Sequence, residues 1–411
     1  MSAHIASIIG LVVMFIAATA LPINMGAIAF VAAFILGAVF VDMNAAAVLA
    51  GFPGDLFVTL VGITYLFAIA QKNGTVDLLV YYGVRAVAGH ASALPWVMFA
   101  VTGLLTSIGA VSPGAVAIIA PIALRFADRY GINPLLMGVM VVHGAQGGGF
   151  SPISIFGGIT NQVVERAGLD GGPMLLFAGS LVFNFVVAAA VFVAFHRRGI
   201  ASTPRDVQVT DDGHVPTLNP QRLMTLIGLL ALAVGALAFN LNVGFVAMTV
   251  AVVLALLFPE AQKGAVDKAA WSTVLLICGV ITYVGVLQKA GTVDWVGQGA
   301  AQLGSPLGAA LLLCFVAGIV SAFASSTGIL GTIIPLAVPL LAAGQLNAAG
   351  VVAAIAISTT IVDVSPFSTN GALVLANIKD DRDRFFRLFL LYAGVITLIG
   401  PLLAWLVFVV I

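Results

Sequence analysis

Apolar runs separated by short polar punctuation make up this chain, and the lengths of the runs limit what each can become. A bilayer core of about 30 Å takes roughly 20 apolar residues per helix. On that ruler residues 5–21, 24–41, 55–71 and 172–195 are full spans, as are 223–241, 243–258, 269–287 and 386–410. Two apolar regions, 92–124 and 305–340, are too long for one helix and are broken in the middle by Ser, Gly and Pro. They predict re-entrant hairpins that enter and leave on one side. Two more, 134–165 and 349–378, each contain a Ser-Pro pair and predict a helix that crosses in two halves. The pattern predicts an all-α polytopic membrane protein with ten crossings and two re-entrant helical hairpins.

Composition agrees. Of 411 residues, 61% are hydrophobic and 8% charged, against about 25% charged in an ordinary soluble domain. Sixteen basic and sixteen acidic side chains cancel, so total charge gives no reason to expect nucleic acid as a partner. Cys278 and Cys314 lie inside apolar runs without CxxC spacing, which implies neither a disulfide framework nor a zinc site. The first apolar run has no Lys or Arg ahead of it, so it is expected to be a retained span, not a cleaved leader.

The strongly polar stretch 196–222, with Pro204, Pro216, Pro220 and the Asp211-Asp212 pair, reads as a linker between a first unit, 1–195, and a second, 223–411. Its four arginines place it in the cytoplasm, with the chain in the inner membrane. Counting crossings outward puts fourteen Lys and Arg inside and only Arg166 and Lys289 outside, with both termini outside. Such a bias is expected of a correct span list, because a miscounted crossing would scramble it.

A shift of 214 positions superposes Ser107 on Ser321, Ser112 on Ser326, Pro121 on Pro335, Asn133 on Asn347 and Gly157 on Gly371. Ser151-Pro152-Ile153-Ser154 falls on Ser365-Pro366-Phe367-Ser368. At 217, Gln71-Lys72 and Gly74-Thr75-Val76-Asp77 recur as Gln288-Lys289 and Gly291-Thr292-Val293-Asp294. One unit has been duplicated. Each copy holds an odd number of crossings, so the two copies lie in opposite orientations. Inverted repeats with interrupted helices at matching places point to alternating access around a midplane site.

The breaks are where chemistry is expected. A proline inside a helix lacks its own N–H and displaces the carbonyl four residues back, so Pro152 frees carbonyls near Gly148 and Pro366 those near Val362. Such carbonyls beside the hydroxyls of Ser151, Ser154, Ser365 and Ser368 suit a hard cation such as sodium, and the N-termini of the following half-helices offer N–H groups to an anion. Asp363 is an acid placed well inside a membrane segment, two residues before Ser365-Pro366, and is expected to hold a cation or a proton. His143, just before Gly147-Gly148-Gly149, is either a packing residue or a proton site. With no Lys or Arg placed deep in the membrane, an anion would be held by helix ends, hydroxyls and amides, its charge balanced by co-bound cations.

Enzymatic alternatives lack their motifs. GxxxxGK[ST] and HExxH are absent, so uphill transport would be secondary and no cofactor is expected beyond a coupling ion. Ala110-Val111-Ser112-Pro113-Gly114 resembles a nucleophile elbow, but the residue after the serine is proline and has no N–H for an oxyanion.

On these residues the sequence resembles, over nearly its whole length, the ion transporter superfamily of divalent-anion/sodium symporters, and within it the bacterial malonate and related dicarboxylate carriers. In the divalent-anion symporters each hairpin tip carries Ser-Asn-Thr about ten residues before a proline, and a Ser/Thr-Pro lies in each helix break. Here Ser325-Ser326-Thr327 precedes Pro335 with one substitution, while counting back from Pro121 gives Val111-Ser112-Pro113, a larger departure. The resemblance implies sodium ligands at Ser107 and Ser321, and substrate contacts at Ser112, Ser326, Thr327, Ser151 and Ser365. It further implies an elevator motion, a homodimeric scaffold and a di- or tricarboxylate substrate. The candidate cation ligands are therefore Ser107, Gly149, Ser321, Ser325 and Asp363. The candidate substrate-binding residues are Ser112, Ser151, Ser154, Ser326, Thr327, Ser365, Ser368 and Asn370. Sodium-coupled uptake of a malonate-like dicarboxylate is the leading expectation, with protons as the other coupling ion and a sodium/proton antiporter or anion exchanger as the alternative.

Overall fold

A computed structural model of the chain describes residues 2–87, 90–196, 216–293, 295, 305–342, 344–379 and 381–411. Most of the proposed linker, residues 197–215, lies outside them, as do Asp294 of the repeat and Asp380 of the charged stretch near the last span. Every regular element among the described residues is helical.

The spans fall where the apolar runs are. The first unit contains Ala3–Ala20, Met25–Phe40, Gly54–Lys72 and Pro173–His196; the second contains Pro220–Phe239, Val243–Leu257, Trp271–Lys289 and Arg382–Trp405. Length and composition qualify six helices as crossings, counting Ala348–Ala376 and Arg382–Val410 as continuous. Val243–Leu257, at 15 residues, is only about 22 Å long at 1.5 Å per residue. Asparagine supplies much of the punctuation. Asn24, Asn44, Asn133, Asn219, Asn242 and Asn347 are each an N-cap whose side-chain oxygen accepts a backbone N–H of the first turn. The repeated Asn133 and Asn347 are thus a repeated helix start, and a cap of this kind stabilises by about 1 kcal/mol.

Each expected hairpin is present. Leu94–Ser107 turns through 108–111 into Ser112–Tyr130, and Pro306–Ser321 turns through 322–325 into Ser326–Ala342. Both expected interruptions are present too: Pro134–Gly148 breaks before Ile155–Arg166, and Ala348–Ile361 passes through a short 3-10 turn and then breaks before Thr369–Ala376. Among the described residues three α-helices were not expected from the pattern, the short Ala45–Leu49 and Pro259–Gln262 and the longer Thr75–Ala86. Thr75–Ala86 follows the third span and buries only one face, through Thr75, Val76, Leu78, Val80 and Val84.

Packing between the units comes in matched pairs. Met25–Phe40 packs on Trp271–Lys289, and its counterpart Val243–Leu257 packs on Gly54–Lys72. Ser112–Tyr130 packs on Thr369–Ala376, and its counterpart Ser326–Ala342 packs on Ile155–Arg166. Each pair turns into the other when the two units are exchanged, which is the signature of a pseudo-two-fold axis. Glycines allow the first set to cross main chain on main chain. A Cβ on Gly279 would stand 2.1 Å from the carbonyl oxygen of Gly26, and one on Gly62 would stand 2.5 Å from that of Gly244.

The match fails in several places, among them Pro306–Ser321, which packs on Arg382–Trp405 while Leu94–Ser107 does not pack comparably on Pro173–His196. Ser326–Ala342 packs on Trp271–Lys289 and Ile155–Arg166 on Gly54–Lys72, but the exchanged pairs do not pack comparably. Where they would meet, there is a cavity. The broken helix Ala348–Ala376 is 89% buried and the spans Gly54–Lys72 and Trp271–Lys289 67% and 61%, whereas Pro173–Phe195, Pro220–Phe239 and Arg382–Val410 are 28%, 22% and 28% buried, so this break lies at the centre and the last three helices face outward.

Candidate functional site

Both Ser-Pro breaks are closed by one local device. Ser154 caps the second half-helix by accepting the N–H of Gly157, while its hydroxyl donates to the carbonyls of Gly149 and Ser151. Ser368 does the same with Gly371, Asp363 and Ser365. Gly157 and Gly371 recur because a Cβ there would lie 2.1 Å and 1.8 Å from the carbonyl oxygens of Ser151 and Ser365. The carbonyls of Gly148 and Val362, expected to be free, accept from the backbone N–H of Ser151 and Ser365. The hydroxyl of Ser151 accepts from Ile153 N at 3.4 Å and that of Ser365 from Phe367 N at 3.2 Å.

The equivalent of Gly149 in the second unit is Asp363, and this asymmetry creates a buried polar network. Asp363 is 4% exposed. Its Oδ1 accepts from the Ser326 hydroxyl at 2.5 Å, and its Oδ2 accepts from Gln146 Nε2 at 2.7 Å and Asn370 Nδ2 at 3.2 Å. Asn370 Nδ2 also donates to Ser112 Oγ at 2.8 Å, and Gln146 Nε2 lies 3.4 Å from the same hydroxyl. Ser326 Oγ sits 2.7 Å from Ser321 Oγ and 3.2 Å from the carbonyl oxygen of Thr359. One carboxylate thereby reaches both hairpin tips, Ser326 directly and Ser112 through Asn370. All its partners are neutral donors, and among the described residues no Lys or Arg forms an ion pair with it.

Ser112, Ser321, Ser326, Asp363 and Asn370 are thus brought together. Ser107 stands apart, its hydroxyl donating back to the Gly103 carbonyl at 2.7 Å. Gln146 is the residue that sequence reasoning missed. Its signal was available: an uncharged polar residue one helical turn after His143 on an otherwise apolar helix.

Next to this network is a cavity of about 390 Å³ lined by both hairpin tips, through Gly109, Val111, Pro113, Gly114, Ser325 and Thr327, and by Thr369 beyond the second break. Thr64, Phe67 and Gln71 of one span and Ser272, Thr273 and Leu276 of another form the opposite wall, with Lys268 also in the lining. The first turns of four helices contribute: those starting at Ser112, Ser326, Thr369 and Trp271. Each helix start carries unpaired N–H groups and the positive end of the helix dipole, so four of them around one space favour an anion. Lys268 adds a full positive charge that the sequence placed only in a loop.

His143 lies in a separate network. Asn184 Nδ2 donates to the Ser180 carbonyl, which turns Asn184 Oδ1 toward His143 Nδ1 at 2.9 Å. That nitrogen therefore carries the proton, and Nε2 accepts from the Tyr392 hydroxyl at 2.6 Å. Ser180 Oγ donates to the Gln146 carbonyl at 3.1 Å. The ring ties three helices together and steadies the turn that presents Gln146.

Comparison with known proteins fits this arrangement. Residues 1–149 match the family described as the dicarboxylate carrier protein MatC N-terminus. Two uncharacterized transporters, from two strains of Mycobacterium tuberculosis, are 23% identical over 306 residues, covering 72% of this chain and 70% of theirs. The crystal structure of the Alcanivorax borkumensis YdaH transporter, described as having an unusual topology, superposes with a TM-score of 0.63 at 15% identity, covering 87% of this chain and 86% of that one. The last is a likeness of fold alone. The chain is a multi-pass membrane transporter, not an enzyme, and its first 149 residues match the MatC dicarboxylate carrier family.

Proposed function

We propose that the protein takes up a small dicarboxylate of malonate size by cation symport, sodium being the coupling ion, and does so by an elevator motion. The observation that carries the anion reading is the cavity of about 390 Å³ with four helix starts and Lys268 around it. A volume at the low end of ligand pockets, with hydroxyls of Thr64, Ser272, Thr273, Ser325, Thr327 and Thr369 set among apolar side chains such as Phe67, Val111 and Leu276, suits a compact anion with a short hydrocarbon body and excludes a bulky one. Substrate contacts are assigned to Ser325, Thr327 and Thr369 and to the hairpin tip at 109–114. The cation is assigned to the neighbourhood of Asp363, a buried acid that no Lys or Arg pairs with among the described residues.

The elevator reading is supported by the broken match between the units. Helices crossing through Gly26, Gly62, Gly244 and Gly279 are tightly packed and suit a static frame, here proposed as the dimeric scaffold. Hairpins and broken helices form the body that moves against it. In the orientation given by the distribution of Lys and Arg, with the linker cytoplasmic and the termini outside, Gln71 and Lys268 mark the cytoplasmic end of the cavity, so the structure is read as inward-facing. At the opposite end Arg166 pairs with Asp55, and Gln162 Nε2 donates to Thr59 Oγ1 at 3.3 Å, closing the moving body on the frame. Exchanging the two units in this description gives the outward-facing partner state.

Purified protein in proteoliposomes should accumulate labelled malonate or a close homologue when a sodium gradient points inward, and not when potassium replaces sodium on both sides. Absence of any dicarboxylate flux, with or without gradients, would refute the carrier reading.

A further inference from the structure

Gln146 and Asn370 are both fully buried, and each has a terminal amide oxygen without a hydrogen-bond partner. Both point their NH₂ groups at the same carboxylate oxygen, Asp363 Oδ2, and both also reach Ser112 Oγ. A buried acceptor with no donor is unusual, since nearly all such groups are paired. Two of them on the neighbours of one buried carboxylate are a joint feature of the site.

A half-turn of a terminal amide exchanges its oxygen and nitrogen at little steric cost. Applied here, it would place Gln146 Oε1 about 2.7 Å and Asn370 Oδ1 about 3.2 Å from Asp363 Oδ2, where the nitrogens now stand. Oxygens that close to a carboxylate repel unless a positive charge lies among them. With Ser112 Oγ the set is then one carboxylate, two amide oxygens and one hydroxyl, all hard ligands of the kind that hold alkali and alkaline-earth cations. We infer that Asp363, Gln146, Asn370 and Ser112 form one monovalent-cation site between the two hairpin tips, reached by a turn of the two amides.

This site differs from the hairpin positions that the family resemblance implies. In the first hairpin unit, the Ser107 hydroxyl is spent on Gly103 and the Gly149 carbonyl on Ser154 and Gly157. The central set is instead drawn from both units: Ser112 and Gln146 from the first, Asp363 and Asn370 from the second. A proton would serve it less well, because one O–H can satisfy only one of the two orphaned amide oxygens. Since Asp363 Oδ1 holds Ser326 and Oδ2 is linked to Ser112 through Asn370, a cation here would bias both tips at once. The inference rests on the cation-coupled reading above, but does not depend on the identity of the anion.

The test is thermal unfolding of the purified full-length protein without dicarboxylate, in sodium chloride against choline chloride at constant ionic strength and at two pH values. Sodium should raise the melting temperature in a saturable way. Asp363→Asn, nearly isosteric, should abolish the sodium-specific rise, and Gln146→Leu and Asn370→Leu should each weaken the apparent sodium affinity about tenfold or more. Ser107→Ala should leave it within about twofold, the ordinary scatter for a group outside the ligand set. An unchanged sodium response in Asp363→Asn, or in both leucine variants, would overturn the site, as would stabilisation that follows pH and ignores sodium. Malonate flux is measured separately: flux with no effect of sodium on stability removes the cation site and leaves the carrier, whereas a sodium response with no dicarboxylate flux keeps the site and removes the carrier.

Discussion

Asp363→Asn in sodium-free buffer is predicted to be more stable than the native protein while losing cation-coupled transport. The native carboxylate accepts from Ser326, Gln146 and Asn370 but leaves Gln146 Oε1 and Asn370 Oδ1 unpaired. An amide at position 363 keeps an oxygen for Ser326 and gains an NH₂ that can donate to those two oxygens once the neighbouring amides turn. These two bonds replace the two that the amides now give the carboxylate, so the number of hydrogen bonds to position 363 does not rise. The predicted rise comes from removing a buried charge that no basic side chain pairs with among the described residues, an effect on the order of a few kcal/mol. Asp363→Ala separates the two effects. It also removes the charge, but it strips Gln146 of its close acceptor and leaves only Ser112 Oγ at 3.4 Å, while Asn370 keeps Ser112 at 2.8 Å. The alanine variant should therefore melt below the asparagine variant, by a few degrees for about 1–3 kcal/mol at a chain of this size. Melting in choline buffer followed by tryptophan fluorescence reads both. If the asparagine variant unfolds several degrees below the native protein, the buried charge is not the weak point of the empty site and the reasoning fails.

The other predictions address the cavity, the breaks and the outer closure. Lys268→Gln should raise the KM for dicarboxylate about two- to fivefold and leave the maximal rate in place, the modest size following from an exposed, salt-screened charge; uptake kinetics at low and high ionic strength would show it. Gly371→Ala should destabilise by about 1–3 kcal/mol or more, because its Cβ would lie 1.8 Å from a main-chain oxygen, whereas Gly114→Ala meets nothing within 4 Å and should melt like the native protein. Arg166→Gln breaks an ion pair whose side chains are 40% and 47% exposed, so stability should change by less than about 1 kcal/mol. The same change should nonetheless increase labelling of a Thr59→Cys reporter by a membrane-impermeant maleimide, and unchanged labelling would show that the pair does not hold the outer side closed.

What the sequence determined was local. Span length is set by bilayer thickness, and each Ser-Pro pair marks a helix boundary, a break at Ser151-Pro152 and Ser365-Pro366 and a start at Ser112-Pro113 and Ser305-Pro306, so spans, hairpins and interruptions were all legible from residue order. The repeat was legible for the same reason, because Asn133 and Asn347 cap, Ser154 and Ser368 cap, and Gly157 and Gly371 accommodate a carbonyl within a few residues of themselves. Thr75–Ala86 escaped because its single buried face is too short and too polar to stand out as a membrane run. Tertiary structure alone decided which breaks face which. Gln146 meets Asp363 across 217 positions and Asn370 meets Ser112 across 258, and the cavity takes its lining from four helix starts scattered between Ser112 and Thr369. Those meetings depend on how closely helices approach at their glycine crossings and on which symmetry-related contacts are made and which are left open, and neither is encoded within any one stretch of chain.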